Sequence, residues 1–212
     1  MQIAIGLYPG LTVLDSIGPY QVFSLIPDVE VVLCAERPGR VTDDNALVHL
    51  EVEHAFADVP SPDVLVVGGG FGTRALATPD SAIVEWIRDA HATTAWTTSV
   101  CTGSLLLGAA GLLDGQRATT HWNYYDLIAA FGADPVEDRV VIGDRIITAA
   151  GVSAGIDMAL TVVDLLLGPE MAQAIQLGIE YDPQPPFDSG APSKAAPEIV
   201  ELVRTVMDAA TT

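Results

Sequence analysis

Cys101 stands where a sharp turn carrying a nucleophile is expected. It follows a β-prone run that ends near Thr98 and precedes small and apolar residues typical of a helix. A cysteine at such a joint lies at the carboxyl end of its strand and faces the first N–H groups of the helix, which favour thiolate over thiol. Ser99 and Gly103 are small enough to allow the turn. The pattern predicts a nucleophilic cysteine with a lowered pKa, rather than a buried structural one.

A carboxyl group follows the first predicted strand. Asp15 lies near the start of a helix predicted over residues 14–26. Aspartate is a preferred helix N-cap, because its side chain accepts hydrogen bonds from the first free N–H groups. Alternatively, Asp15 carries protons for Cys101, in which case its carboxyl lies at the same edge of the sheet as the thiol. The sequence leaves both interpretations of Asp15 open.

A glycine-rich loop is expected beside Cys101. Gly68, Gly69 and Gly70 follow the third apolar run, where their N–H groups could face developing negative charge or form only a tight turn. Residues 70–75 also match part of a dinucleotide-binding pattern. We discount that match because it follows the third strand rather than the first, and no acidic residue ends a strand about twenty residues later.

A second small-residue segment is expected opposite Cys101. Ala150, Gly151 and Val152 follow a predicted strand and precede an apolar helix that begins at Ser153. They should therefore emerge at the same carboxyl edge of the sheet, where ligands bind in parallel α/β sheets. We expect these three residues to line the pocket; the alternative is a simple helix-entry turn.

The composition restricts the possible partners. The 212 residues include 28 acidic and 9 basic side chains, a net charge of −19, which argues against binding to nucleic acid or anionic membranes. The two cysteines, Cys34 and Cys101, form no disulfide framework, and Cys34 is expected to be structural. The N-terminus lacks the features of a signal peptide, and the apolar stretches are too short or too interrupted to span a membrane. A cytoplasmic protein is expected.

The alternation of elements predicts the fold. Short apolar runs predict strands over residues 2–7, 29–34, 63–67 and 94–98, and residues 136–138 and 140–148 resemble a hairpin. Helical patterns cover residues 14–26, 79–91, 119–131, 153–167, 170–179 and 197–209. Continuously apolar strands separated by helices indicate a parallel sheet covered on both faces. We expect an α/β fold in a single domain, residues 1–212.

Several segments together resemble the ThiJ/PfpI superfamily of class I glutamine-amidotransferase-like domains. They are Asp15 and residues 66–70, 99–103, 118–122, 151–157 and 180–187. The likeness covers nearly the whole chain and implies a flavodoxin-like three-layer sandwich, a mostly parallel sheet with a nucleophile elbow, and usually a homodimer. Asp15, the Cys101-Thr102 pair and the segment 181–187 are most similar to the isonitrile hydratase branch. The sensor domains of some AraC-type transcription regulators share this combination.

The resemblance implies hydration of a small-molecule isonitrile to an N-substituted formamide. Cys101 would attack the terminal carbon to give a thioimidate, and Asp15, beside the elbow thiol as is usual in the superfamily, would carry the proton. Thr102 would offer its backbone N–H, and its hydroxyl, to the substrate nitrogen or a water. The chemistry requires no metal and no cofactor, and the sequence has no cluster with metal-ligand spacing.

Two other function classes stay open. One is a non-catalytic sensing domain of the AraC-associated type, although residues 197–212 are too few and the chain too acidic for a helix-turn-helix module. The other is a stress-related thiol enzyme acting on glyoxals. A peptidase of the superfamily would carry histidine directly after the elbow cysteine, where this chain has Thr102. His121 is expected to be a helix-start residue near the pocket and not a base. Three more aromatic residues are expected in pocket walls or in packing: Trp122, Tyr181 and Phe187.

Overall fold

A seven-stranded sheet lies at the centre of the computed structural model, which describes residues 1–210. Its strands are β1 (Gln2–Gly6), β2 (Glu30–Ala35), β5 (His54–Ala55), β6 (Val64–Val67), β7 (Trp96–Val100), β10 (Val140–Ile142) and β11 (Ile146–Ala149). Their order is β10-β11-β7-β6-β1-β2-β5, and all neighbours are parallel except β10 and β11. The central strands β1 and β6 are almost entirely buried, as expected for a sheet covered on both faces.

The helices cover the two faces of this sheet. Helix α1 (Val13–Phe23) packs against α6 (Ala154–Leu167), which also contacts α7 (Pro169–Gly178). Helix α3 (Ala82–His91) packs against α4 (Gly103–Ala109), which contacts the short helices α2 (Thr73–Leu76) and α5 (Tyr125–Ala129). Helix α8 (Pro197–Ala210) is the last described element. The predicted flavodoxin-like α/β sandwich is confirmed.

Two small strand pairs lie outside the central sheet. The antiparallel pair β3 (Gly39–Thr42) and β4 (His49–Val52) accounts for the extended pieces expected after β2. The parallel pair β8 (Arg117–Ala118) and β9 (Asp134–Pro135) was not predicted. The hairpin of β10 and β11 is confirmed, but residues 136–138 form no strand, since the extended pairing ends at Pro135.

The helix predicted over residues 119–131 is wrong in its first half. Residues 119–121 are non-helical, a 3₁₀ turn covers Trp122–Tyr124, and α5 begins only at Tyr125. The Thr119 N–H donates to the Thr148 hydroxyl at 2.9 Å, and the Thr120 hydroxyl donates to the Cys101 carbonyl at 3.0 Å. Both threonines are fully buried. These tertiary hydrogen bonds hold the segment against β11 and the elbow, which overrides its helical pattern.

None of the helices within residues 1–210 is long and apolar enough to cross a membrane.

Candidate active site

Cys101 lies at a strained turn between β7 and α4. Its φ is +56°, a left-handed value that costs a residue with a Cβ roughly 1–2 kcal/mol. The Cys101 N–H donates to the Ala150 carbonyl at 2.9 Å, and its own carbonyl accepts from the Ser104 hydroxyl at 3.2 Å. A Cβ on Gly103 would collide with the Val67 carbonyl oxygen, so only glycine fits there. The nucleophile elbow predicted from the sequence is therefore present.

Asp15 is buried beside this elbow and does not cap α1. The helix begins at Val13 with Thr12 as the N-cap, so Asp15 lies in the first turn. Its Oδ2 accepts a hydrogen bond of 2.8 Å from the Gly69 N–H, while Oδ1 has no partner of ordinary hydrogen-bond geometry among the described residues. A Cβ on Gly68 would lie 2.8 Å from the Asp15 Cβ, so this glycine allows the close approach. The capping interpretation of Asp15 is wrong, because its carboxyl reaches across to the loop after β6.

Burial raises the pKa of Asp15 to about 7. The side chain has no exposed surface, and removal from water disfavours the charged form. The Gly69 N–H and an interaction with the Cys101 thiol lower the pKa, but by less than burial raises it. The carboxyl can therefore both accept and release a proton near neutral pH, as a general acid–base group must.

The Cys101 thiol has a raised pKa, which corrects the expectation of a lowered one. Burial is the largest cause, and the negative charge of Asp15 is the second. The N–H groups of Val152 and Thr102 contact the sulfur and lower the pKa, but only in part. A thiol that is 6% exposed beside a carboxylate rests with its proton on. Its activation requires a base, and Asp15 is the adjacent carboxyl.

The Thr102 hydroxyl belongs to a network of buried hydroxyl groups. Its Oγ1 accepts from the Gly70 N–H at 3.0 Å and lies 3.1 Å from the Thr73 Oγ1, which lies 2.9 Å from the Tyr8 hydroxyl. The Tyr8 hydroxyl also donates to the Gly68 carbonyl at 2.7 Å. Both the backbone N–H and the hydroxyl of Thr102 also hydrogen-bond with the Cys101 sulfur and lower the pKa of the thiol, so both groups face Cys101.

Sequence analysis missed Tyr8 and Thr73. Tyr8 follows β1, the strand preceding Asp15, and Thr73 falls within the glycine pattern that we discounted. A polar residue after a central strand, at the carboxyl edge, was the available signal. Both side chains are buried and hold the loop that carries Gly69.

The glycine loop positions side chains instead of presenting free N–H groups. The Gly69 N–H is bound to Asp15, and the Gly70 N–H is bound to Thr102. A Cβ on Gly69 would lie 2.5 Å from both the N and the Oγ1 of Thr102. The loop therefore fixes the carboxyl and the elbow relative to each other, in place of the charge-stabilising role that we considered.

Two adjoining cavities lie at this edge of the sheet. Cys101, Thr102, Gly70 and Val152 line a small one of about 50 Å³. Ala150 and Gly151 do not line it; together with Val152 they line a larger cavity of about 470 Å³. Of the three residues expected opposite Cys101, the structure brings only Val152 beside the thiol.

Burial keeps His121 neutral between these cavities. It lines both of them, and burial lowers its pKa to about 4. Its Nδ1 accepts from the Asn123 N–H at 3.3 Å. A Cβ on Gly151 would lie 2.8 Å from the imidazole Cδ2, so the ring lies flat against the chain there. His121 is thus a wall residue at the start of a 3₁₀ turn, as expected, and not a base.

Of the other three aromatic residues expected near the pocket, only Trp122 is among the residues that line these two cavities. Trp122 lines the larger cavity. The Tyr181 hydroxyl donates to Asp157 at 3.1 Å, and Phe187 is 76% exposed. No group of three or more His, Cys, Asp or Glu side chains within residues 1–210 is arranged to hold a metal ion.

Comparison with known proteins decides the family. Residues 1–165 match the model of the DJ-1/PfpI family. The chain belongs to the DJ-1/PfpI family. A ThiJ/PfpI family protein from Pseudomonas syringae of known structure superimposes with a TM-score of 0.93 at 38% identity, covering 99% of this chain and 87% of that one.

Two curated relatives with named activities are similar to this DJ-1/PfpI protein. One from Pseudomonas putida, named isonitrile hydratase, is 46% identical over 204 residues, which are 96% of this chain and 89% of the relative. A glutathione-independent glyoxalase from Caenorhabditis elegans is 29% identical over 158 residues, which are 74% of this chain and 80% of the relative.

Proposed function

We propose that this DJ-1/PfpI protein is an isonitrile hydratase, a hydro-lyase (carbon–oxygen lyase) that adds water to an isonitrile and releases an N-substituted formamide. The observation that carries the proposal is the buried pair of Cys101 and Asp15, one soft nucleophile beside one carboxyl whose pKa is about 7. This pair supplies the two functions that isonitrile hydration needs. The similarity to the isonitrile hydratase of Pseudomonas putida over 96% of the chain supports the same reaction.

The first half of the reaction forms a covalent intermediate on Cys101. The Asp15 carboxylate accepts the thiol proton as the sulfur attacks the terminal carbon of R–N≡C. The proton then passes from Asp15 to that carbon, giving the thioimidate R–N=CH–S–Cys101. The S–H bond breaks, the S–C and C–H bonds form, and one π bond of the isonitrile is consumed. The Thr102 and Val152 N–H groups stabilise the negative charge that develops on the sulfur.

The second half uses the same carboxyl again. Asp15 accepts a proton from water as the oxygen adds to the thioimidate carbon, and then donates that proton to the nitrogen. Collapse of the resulting R–NH–CH(OH)–S–Cys101 breaks the C–S bond, releases R–NH–CHO and returns the hydroxyl proton to the sulfur. One carboxyl with a pKa near 7 serves both halves, because it is readily ionised and readily protonated at neutral pH.

The experiment that tests this function detects both product and intermediate. The purified protein is mixed with benzyl isonitrile, and N-benzylformamide and the mass of the intact chain are followed. We expect formamide to form and an adduct of one substrate mass to map to Cys101. Cys34→Ala is the matched control, since Cys34 is the other free, buried cysteine. A protein that forms no formamide, or whose adduct lies on another residue, contradicts the proposal.

A glyoxalase activity is the second candidate, and the family relative named a glyoxalase supports it at lower identity. The same protein sample is mixed with methylglyoxal, and lactate is measured. We expect isonitrile to be consumed far faster than methylglyoxal. Turnover of methylglyoxal alone would favour the second candidate, and turnover of neither would favour a ligand-sensing domain.

We further propose that residues 1–212 act as one domain, in a homodimer located in the cytoplasm. One continuous hydrophobic cluster extends from Ile3 to Ile175, which supports a single domain. Helix α1 leaves Leu14 41% and Tyr20 37% exposed, an apolar surface suited to a partner subunit. Light scattering should give twice the 22.2 kDa mass of the chain, and a single-chain mass at micromolar concentration would contradict the dimer. Two free thiols fit a reducing compartment, which fractionation of cells can test.

A further inference from the structure

The cavity that contains Cys101 is the smaller of the two adjoining cavities. Its volume is about 50 Å³. The N≡C group must reach Cys101 there, while an organic substituent has more room in the cavity beside it. The adjoining cavity of about 470 Å³ has the size typical of small-molecule sites. His121 and Val152 line both cavities. A substrate whose N≡C group contacts Cys101 can therefore extend its substituent past these two residues into the larger cavity.

Two arginines flank this pair of cavities. The Arg74 guanidinium lies 5.1 Å from the centre of the Tyr124 ring and lines the smaller cavity. The Arg204 guanidinium lies 5.7 Å from the centre of the Trp122 ring and lines the larger cavity. Both rings pack against the His121 imidazole, at centre-to-centre distances of 5.6 and 5.5 Å. The two cations thus lie at either end of one aromatic cluster.

These arginines are unusual for the chain. With 28 acidic and 9 basic side chains, an arginine is expected to find a carboxylate or another acceptor. Within residues 1–210, the remaining basic side chains do so: ion pairs hold Arg37, Arg40, Arg117, Arg139 and Lys194, and backbone carbonyls accept from Arg88 and Arg145. Among the side chains that the structure describes, those of residues 1–207 and 209, Arg74 and Arg204 have ring contacts but no ion pair or hydrogen bond. Both line the cavities of the candidate site.

We propose that the isonitrile substrate carries a carboxylate, which Arg204 binds in the larger cavity. This inference rests on the proposed function. The N≡C group reaches Cys101, Trp122 covers the uncharged part of the substituent, and Arg74 adds positive charge at the smaller cavity. Arg139 lines the larger cavity but is already bound to Asp157, with its Nη2 2.6 Å from Oδ2. Glu137 also lines this cavity and repels an anion from its own side, which leaves the side of Arg204.

The chemistry of an unpaired guanidinium supports this assignment. Arginine presents several N–H donors in a planar fork that matches a carboxylate. A hydrogen bond between charged groups is stronger than a neutral one, and an aromatic ring beneath the guanidinium holds it without neutralising its charge. On a surface with net charge −19, such a site also offsets the general repulsion of an anionic substrate.

The test compares 4-isocyanobenzoate with its methyl ester. These two isonitriles share the aromatic ring and differ in charge. We expect kcat/KM of the wild type to favour the carboxylate by about tenfold to a hundredfold at low salt, and the preference to decrease as salt is added. Arg204→Gln should lower the ratio of the two kcat/KM values about tenfold or more, and Arg74→Gln should lower it less. The control is Arg88→Gln, an exposed α3 side chain outside both cavities, which should leave both kcat/KM values unchanged.

A binding measurement separates this inference from the proposed function. The formamide product of 4-isocyanobenzoate should bind about tenfold more tightly than its methyl ester in calorimetry, and Arg204→Gln should remove the difference. Equal kcat/KM for the two isonitriles, or a ratio that Arg204→Gln changes no more than Arg88→Gln does, would overturn the carboxylate site alone. If neither isonitrile turns over but the binding difference persists, the hydratase function fails and the anion site stands. If neither turnover nor a binding difference is seen, both fail.

Discussion

The Asp15 carboxyl and the Cys101 thiol change each other's proton affinity. The negative charge of Asp15 raises the pKa of the thiol, and interaction with the thiol lowers the pKa of the carboxyl, which burial still holds at about 7. The proton of the pair therefore rests on the sulfur. In the proposed mechanism it moves to the carboxyl as the sulfur attacks the isonitrile.

Removing the nucleophile should separate activity from stability. We expect Cys101→Ala and Cys101→Gly to lose isonitrile turnover, while Cys34→Ala keeps it. Cys101 has a φ of +56°, so glycine relieves strain that alanine retains. The greater flexibility of glycine in the unfolded chain offsets part of this gain. The free energy of unfolding in urea should therefore be about 0.5–1 kcal/mol higher for Cys101→Gly than for Cys101→Ala. Turnover in a folded Cys101→Ala protein would exclude the thioimidate mechanism.

Removing the carboxyl of Asp15 should affect chemistry far more than folding. Asp15→Asn keeps an oxygen that can accept from the Gly69 N–H, so the loop should remain in place. The loss of a general acid–base group lowers kcat/KM by about 10²–10⁴. In the wild type, kcat/KM should increase with pH and level off above about 7, where Asp15 is ionised. Most of the wild-type activity in Asp15→Asn, or an unchanged pH profile, would rule out a proton-carrying role.

The same carboxyl should make stability depend on pH. The folded-state pKa of Asp15 lies above its usual 3.8, at about 7, so the folded protein binds the proton more tightly. Its contribution to stability is present below pH 4 and is lost as the pH rises to 7. Relative to wild type, Asp15→Asn should therefore gain unfolding free energy between pH 4 and 7, on the order of 4 kcal/mol at most. Denaturant titrations at several pH values measure this, and a constant difference would show that the pKa of Asp15 is not raised.

Enlarging Ala150 should test the larger cavity. Ala150 lines that cavity and not the one that contains Cys101. Ala150→Leu should lower kcat/KM for bulky isonitriles about tenfold or more while changing that for methyl isonitrile much less, since the N≡C group lies elsewhere. The melting temperature controls for folding. Equal losses for bulky and small substrates would place Ala150 outside the substituent site.

The position of Cys101 followed from its sequence neighbours. The β-prone strand before it, Gly103 after it and the expected turn between them are local features, and they predicted the elbow correctly. The alternation of apolar runs and helical patterns likewise predicted the α/β sandwich, because hydrophobic periodicity reports burial directly. The fold class and the turn that carries Cys101 were therefore determined by the sequence itself.

The burial and the hydrogen-bond partner of Asp15 were decided only by the tertiary structure. A preferred capping residue at a helix start cannot be distinguished from a buried acid by local pattern, because the difference lies in the Gly69 N–H 54 positions along the chain. The tertiary structure also decided the pKa of the Cys101 thiol. The position of Cys101 at the start of α4 predicts a lowered pKa, but distant segments bury the thiol and raise its pKa. Nor could the sequence separate Val152 from Ala150, since Val152 lines both cavities and Ala150 lines only the larger one. Hydrogen-bond partners and solvent exposure depend on which segments meet in space, and no single stretch of sequence carries that information.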